Sequence, residues 1–384
     1  MNDVPLRPNE SLPKSGAWRT RLRWQVIRHI LTVRPTREAA HFKACIVKPD
    51  RLGDFVLATG AIRLLRKHFG PENCVLVVSP YAEKLAAREF PDSPRVTAPA
   101  FVPKKLRKLL PLWRTLGLRF RHYTFDHAIS LRPYPSLYLN ALLSWIPAQQ
   151  RHGFSDSPLP AEVDSRNLNF AQHLAFPSTP STGLCLDLQA HADLLSTILN
   201  RPIQPDEIKP RLSSFDQSDE GYLLIAPYSS DRLKDYPAKL LCEALQEFQK
   251  NNPCPLRVLV STEQAGLLPE LRTEADARGV RISSIEVGTS QNHYLEAIAH
   301  ARGVLTMDSA SAHIAGAFEK PCVVLMGGGH RNIFGPWWHS DRQRWLRNQL
   351  PCYGCNWQCP YPEAHCLTGI SPRDVTAALV DVLS

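Results

Sequence analysis

No run in this 384-residue sequence reaches the ~18 apolar residues of a membrane-spanning helix, which excludes a chain that crosses the bilayer in that way. The opening residues MNDVPLRPNESLPKSG lack an apolar core ahead of a small-residue cleavage site, so the expected compartment is the cytoplasm. Glycine is not enriched, at an ordinary 19, and the 33 prolines follow no repeat, so collagen-like and linker-like architectures are excluded. Ten cysteines are too few for a disulfide scaffold in a chain of this length. Six of them (Cys45, Cys74, Cys185, Cys242, Cys254, Cys322) stand singly among apolar residues and are expected as small core side chains. A hydrophobic content of 43% excludes a disordered chain, and the length predicts two domains.

Carboxylates are missing from two stretches of an otherwise mixed surface. Lysine and arginine number 45 against 36 acids, a balance of +9. Trp18 to Arg37 carries Arg19, Arg21, Arg23, Arg28, Arg34 and Arg37 without an acid, beside Trp18, Leu22, Val26, Ile30 and Val33 at helical spacing. Phe101 to Arg121 repeats the pattern with Leu106, Leu109, Leu110, Trp113 and Leu116. Each stretch reads either as a basic amphipathic helix for an anionic membrane surface or as a solvated helical face.

From Lys43 the sequence alternates short apolar runs with helical periodicity. Strands are predicted at 44–47, 75–78 and 125–129, with a helix at 55–69 and another at 186–199. The proline-punctuated segment NRPIQPDEIKP reads as a linker. The alternation then restarts, with strands at 222–226, 257–260, 281–285, 304–307 and 323–326, and helices from 237, 264, 294 and 311. The fold class predicted is α/β, as two consecutive doubly wound halves that bind ligands beyond the carboxyl ends of their strands.

Four post-strand loops hold residues suited to chemistry. In KPDRLGDFVL, Gly53 is expected to turn the chain and Asp54 to open the helix, either as a general base toward a hydroxyl or as a simple N-cap. After 222–226, the loop PYSSDRLKDYP offers Ser229, Ser230 and Lys234 to an anionic diphosphate. Asp308, Ser309, Ser311 and His313 fall in DSASAH at a helix start, where small residues leave N–H groups open to phosphate. The run GGGH, residues 327 to 330, permits close backbone approach.

In order and spacing these loops resemble glycosyltransferase family 9, the ADP-heptose:lipopolysaccharide heptosyltransferases. The resemblance rests on KPDRLGDFVL, KDYP, MDSASAHIAGAF, VVLMGGGHRNIFGP and the cysteine tail, and spans roughly residues 43 to 384. It implies a GT-B fold, two Rossmann-like domains facing a cleft: a basic arm at 1–42, an acceptor-binding domain at 43–205 and a nucleotide-sugar-binding domain at 206–384. It implies Asp54 as general base and donor contacts from Ser229, Ser230, Lys234, Glu263, Asp308, Ser309, Ser311, His313, Gly327 and Gly328. A negatively charged lipid-linked saccharide acceptor would meet Lys104, Lys105, Arg107 and Arg132. The activity implied is metal-independent, inverting transfer of a heptose-like sugar from an ADP-sugar to the lipopolysaccharide core, by an enzyme peripheral on the inner membrane, with no nucleic-acid partner. Ala310 departs from the family's usual glycine and Gly60 from a frequent proline, which leaves the sugar open.

Cys352, Cys355, Cys359 and Cys366 lie close together, with His365 beside the last. They read as a structural Zn²⁺ site, as reduced thiols packing a loop, or as a labile disulfide. Two other functions fit parts of the sequence. A nucleotide-sugar epimerase of the same fold would have no use for a lipid-facing basic arm. A non-catalytic nucleic-acid-binding protein would explain the charge, but the cations lack aromatic stacking partners on an identifiable binding fold.

Overall fold

The computed structural model describes residues 33–100, 109–133, 137–155, 170–175, 185–215, 220–329, 333–337, 341–355, 357–359 and 361–384. Most of the basic arm, and Lys104, Lys105, Arg107 and His330, lie outside the described residues. The chain forms two compact units that are not contiguous in sequence. One comprises 1–51, 62–178 and 190–204, the other 52–61, 179–189 and 205–384.

The first unit is built on a six-stranded parallel sheet of β1 (Ala40–Lys48), β2 (Cys74–Val78), β3 (Arg95–Thr97), β4 (Tyr123–Ser130), β5 (Ala148–Ser155) and β6 (Phe170–Ala175). Its order is β3-β2-β1-β4-β5-β6, so the chain winds outward from β1 in one direction and then resumes on the other side. The second unit repeats this with β7 (Leu223–Ala226), β8 (Leu256–Ser261), β9 (Ile282–Gly288), β10 (Gly303–Met307), β11 (Cys322–Leu325) and β12 (Gln343–Leu346), ordered β12-β11-β10-β7-β8-β9. Runs such as Val75 to Val78 and Val323 to Leu325 are buried throughout, as strands covered on both faces require. Each sheet reverses direction once, between β1 and β4 and between β7 and β10. Such switch points open a crevice beyond the strand ends.

The cores follow from the same runs. Cys45, Val47, Val75, Val77 and Phe125 meet Leu116 and Phe120 of a helix at Leu109–Phe120, whose Arg114 and Arg119 are exposed. The second predicted basic stretch is therefore, over its described half, an amphipathic helix that buries its apolar face. In the second unit, helices Ala238–Asn251 and Pro372–Leu383 pack Leu241, Leu245, Phe248, Val375 and Leu379 on the sheet. All six isolated cysteines are buried. Burial alone pushes the Cys322 thiol far above its usual range, which disfavours the thiolate.

Helix α1 (Leu52–Phe69) starts three residues earlier than the apolar pattern suggests. Gly60 within it lies against backbone: a Cβ there would fall 2.1 Å from the Ile208 carbonyl oxygen and 2.5 Å from that of Lys209. Because backbone cannot rotate away, Gly60→Ala is expected to destabilise by about 1–3 kcal/mol, as overpacking does. Thermal unfolding checks this, and an unchanged Tm would show that the 208–209 segment yields.

Candidate active site

The β7/β10 switch point gathers several of the second unit's predicted residues, whereas Glu263 follows β8 and Gly327 and Gly328 follow β11. Ser229 is buried at the end of β7, where its N–H donates to Asp235 Oδ1 at 2.7 Å and its hydroxyl donates to the Asp231 carbonyl at 2.7 Å. The Gln264 amide donates to the Ser229 carbonyl at 3.0 Å, and Asp231 Oδ1 accepts from the Leu233 N–H at 3.1 Å. This lattice fixes a single helical turn, Arg232–Lys234, that ends on Lys234. Ser230 and Glu263 are exposed. The Glu263 carboxyl is held below its ordinary value by its own backbone N–H and the Ser261 hydroxyl.

Across the switch point, Asp308 is buried after β10, and its Oδ2 has no hydrogen-bond partner among the described residues. Burial raises its carboxyl above the usual range, against the pull of Lys234. Helix α2 (Ala310–Ala317) follows, with Ser309 at its N-cap making no side-chain capping bond. Uncapped N–H groups at a helix start attract anions. Ser311 is buried, its hydroxyl 2.5 Å from that of Tyr294. His313 accepts from Trp337 Nε1 at its Nδ1, 3.2 Å away. Burial first, and Lys234 second, push its pKa down to about 3, so the ring is neutral and carries its proton on Nε2. Lys234, Asp308 and His313 are therefore one electrostatic group, as the motif order suggests.

Asp54 sits in the first turn of α1 and is half-buried. The N-cap reading is corrected: Arg51 occupies the cap, and Asp54 lies three positions inside, where the helix dipole favours a carboxylate. Gly53 is helical too and turns no corner. A Cβ on it would come 3.0 Å from His313 Cδ2 and 3.2 Å from Ala310 Cα, so its role is close approach to α2.

In the first unit, the β1/β4 switch point holds a buried charge cluster. Lys48 Nζ lies 3.3 Å from Asp50 Oδ2 and donates to the Leu131 carbonyl at 3.1 Å. Arg132 Nε lies 3.2 Å from Asp50 Oδ1, and another of its nitrogens donates to the Ala100 carbonyl at 3.3 Å. His191 donates from Nε2 to the Leu131 carbonyl at 2.6 Å, and burial pushes its pKa down to about 3. Two cations thus share one carboxylate beside a neutral histidine.

The model of glycosyltransferase family 9 (heptosyltransferase) matches residues 113–364, about two-thirds of the sequence. The chain belongs to this family. Solved structures with the same fold include a family 9 glycosyltransferase from Veillonella parvula, at TM-score 0.66 and 15% identity, covering 89% of this chain and 97% of that one. Escherichia coli ADP-heptose lipopolysaccharide heptosyltransferase II aligns at TM-score 0.61 and 16% identity, covering 89% and 98%. Escherichia coli heptosyltransferase WaaC with ADP-2-deoxy-2-fluoro heptose aligns at 0.62 and 12%, covering 88% and 99%. No curated protein matches by sequence. The two Rossmann-like sheets are those of a GT-B glycosyltransferase.

Within this glycosyltransferase the four clustered cysteines are half-buried free thiols lining one small pocket. Burial raises the Cys355 thiol, and the other three lie within electrostatic reach of it. Among the described residues no group of three or more His, Cys, Asp or Glu side chains is placed to hold a metal ion. The thiols are suited to a soft metal by chemistry, but they are not arranged as a metal site. What the loop does place is Trp357, whose ring lies 5.0 Å from Lys234 Nζ. The sequence reading missed this residue, and also Asp235, Lys48 and Asp50. The signal within reach was Tyr353 and Trp357 standing between the cysteines.

Asp235 gives the heptosyltransferase-family fold a pH dependence. Burial raises its carboxyl from 3.8 to about 6, although the Ser229 N–H pulls the other way. The folded chain therefore holds a proton that the unfolded chain has released. The contribution of this group is fully present below pH 3.8 and is lost as pH rises through about 6. Asp235→Asn keeps an oxygen for the Ser229 N–H and should gain Tm relative to the parent at pH 7.5 but not at pH 4. Parallel Tm profiles would contradict the assignment.

Proposed function

We propose that this enzyme transfers a heptose from ADP-heptose to a lipid-linked saccharide of the lipopolysaccharide core, with inversion at the anomeric carbon. The observation that carries this is Lys234 acting electrostatically on Asp308 and His313, before and within an α2 whose Ser309 N-cap makes no side-chain capping bond, in a chain of the heptosyltransferase family. Asp54 removes the proton of an acceptor hydroxyl as its oxygen bonds to the anomeric carbon. The bond from that carbon to the ADP oxygen breaks, its electron pair leaves with the diphosphate, and a single displacement inverts the centre. Lys234 and the α2 N–H groups meet the charge that develops on the leaving group. They supply the countercharge that a divalent cation would otherwise provide. Support for ADP-heptose comes from two neighbours of the same fold, one described as an ADP-heptose enzyme and one holding a fluorinated ADP-heptose. Arg132, held by Asp50, is proposed to meet anionic groups of the acceptor. Calorimetry tests the donor: ADP should bind at least about tenfold more tightly than UDP, a difference of ~1.4 kcal/mol. Equal affinities would remove the adenine nucleotide from the proposal.

The site of action is proposed to be the cytoplasmic face of the inner membrane. Support comes from the arginines of Trp18 to Arg37, and among the described residues no helix is long and apolar enough to cross a membrane. Each cation near an anionic surface contributes about 1 kcal/mol, screened as salt rises. Deleting residues 1–40 should release the protein from anionic vesicles while transfer to a detergent-soluble acceptor continues. Undiminished sedimentation of the truncated chain would move the anchor elsewhere.

A further inference from the structure

The cysteine loop has a partner in its own unit. Gly354 N–H donates to the Gly328 carbonyl at 2.6 Å, which ties the loop to the glycine run after β11. Tyr353 lies over Gly328, where a Cβ would come 2.8 Å from its ring. Trp357 fills the space beside Gly327 and Gly329, where a Cβ would fall 2.3 Å and 2.2 Å from ring atoms. The close approach those glycines permit is thus taken up by two aromatic rings of this chain. Trp357 also holds φ at +60°, a left-handed conformation that is costly for a bulky residue. The Trp357 backbone N–H lowers the Cys355 thiol by hydrogen bonding, and the Gln358 N–H donates to the Cys355 carbonyl at 3.1 Å.

Among the described residues Lys234 makes no ion pair, although it acts on Asp308 through space. Its ammonium rests 5.0 Å from the Trp357 ring instead. A carboxylate would hold the lysine by neutralising it. An aromatic face holds a cation through its quadrupole and leaves the full charge for another anion.

We propose that Trp357 is a positioning residue for Lys234, and that the cysteine loop serves the donor site by seating its ring there. This rests on the reading of Lys234 as the group that meets the donor diphosphate. Trp357 acts through the lysine, so its removal should weaken ligands that carry the diphosphate and spare those that lack it.

The test measures ADP and adenosine binding by calorimetry to the full chain and to Trp357→Ala, Trp357→Phe, Lys234→Met and Trp357→Ala/Lys234→Met. Trp357→Ala should weaken ADP about threefold to tenfold, the range of a partly desolvated cation–π contact, and leave adenosine within twofold. Trp357→Phe should restore most of the loss, and Trp357→Ala should add nothing once Lys234 is Met. If Lys234→Met weakens ADP selectively but Trp357→Ala does not, the proposal is overturned while the diphosphate reading stands. If Lys234→Met weakens ADP and adenosine alike, the diphosphate reading falls and this proposal with it. Should Trp357→Ala fail to fold, Trp357→Phe and Trp357→Leu are compared. Phe is expected to bind ADP more tightly than Leu, and equal ADP affinities at equal Tm would overturn the ring's role.

Discussion

Asp54→Asn is expected to lower transfer by about 10²-fold or more while ADP binding and Tm stay near those of the parent, as loss of a general base requires. The carboxylate lies in the first turn of α1, where the helix dipole favours its ionised form, and its neighbour Gly53 packs against α2. Asparagine is nearly isosteric and can still accept from a helix N–H, but it cannot take a proton. The loss should therefore fall on kcat. Single-turnover transfer measured beside ADP calorimetry separates the two effects. A folded Asp54→Asn enzyme with near-normal turnover would remove the base.

Lys234→Ala is expected to be nearly as damaging, for a different reason. The leaving diphosphate gains charge as its bond to the sugar breaks, and a preorganised cation there contributes on the order of 10²–10³ in rate. Lys234 is held by the Asp231–Leu233 turn below and the Trp357 ring beside it, so it is aligned before the donor arrives. The Ala variant should lose kcat and also bind ADP less tightly, with adenosine unaffected. Equal losses for ADP and adenosine would place Lys234 outside the phosphate site.

Much of this architecture is legible in the sequence because buried parallel strands are continuous apolar runs. The helix at 186–199 is found at those bounds, and β1, β7, β10 and β11 fall within a few residues of expectation. The strands that escape notice are those whose sequences lack the apolar signal. β5 reads Ala-Gln-Gln-Arg-His-Gly-Phe-Ser, and Arg151 within it donates to the carbonyls of Leu143 and Ile146. β12 is a four-residue edge strand that begins Gln-Arg.

Motif order places Lys234, Asp308 and His313 on post-strand loops of one switch point, and Lys234 acts electrostatically on the other two. It failed where geometry turns on a single residue. Whether an acid caps a helix or lies three residues inside depends on the exit angle of β1, which no local pattern encodes. Trp357 was hidden for another reason: the cysteines around it invite a metal, and only the packing of Tyr353 and Trp357 on 327–329 shows that the loop carries a ring to the lysine.

The central claim is sugar transfer from ADP-heptose, and acceptor-dependent turnover tests it most directly. The full chain, incubated with ADP-heptose and a heptose-accepting lipopolysaccharide core glycolipid, should release ADP in step with a one-heptose mass gain on the glycolipid, and neither should occur without the acceptor. Sugar isomerisation or ADP release that proceeds equally with no acceptor present, or an acceptor left unmodified in the presence of ADP-heptose, would contradict the account.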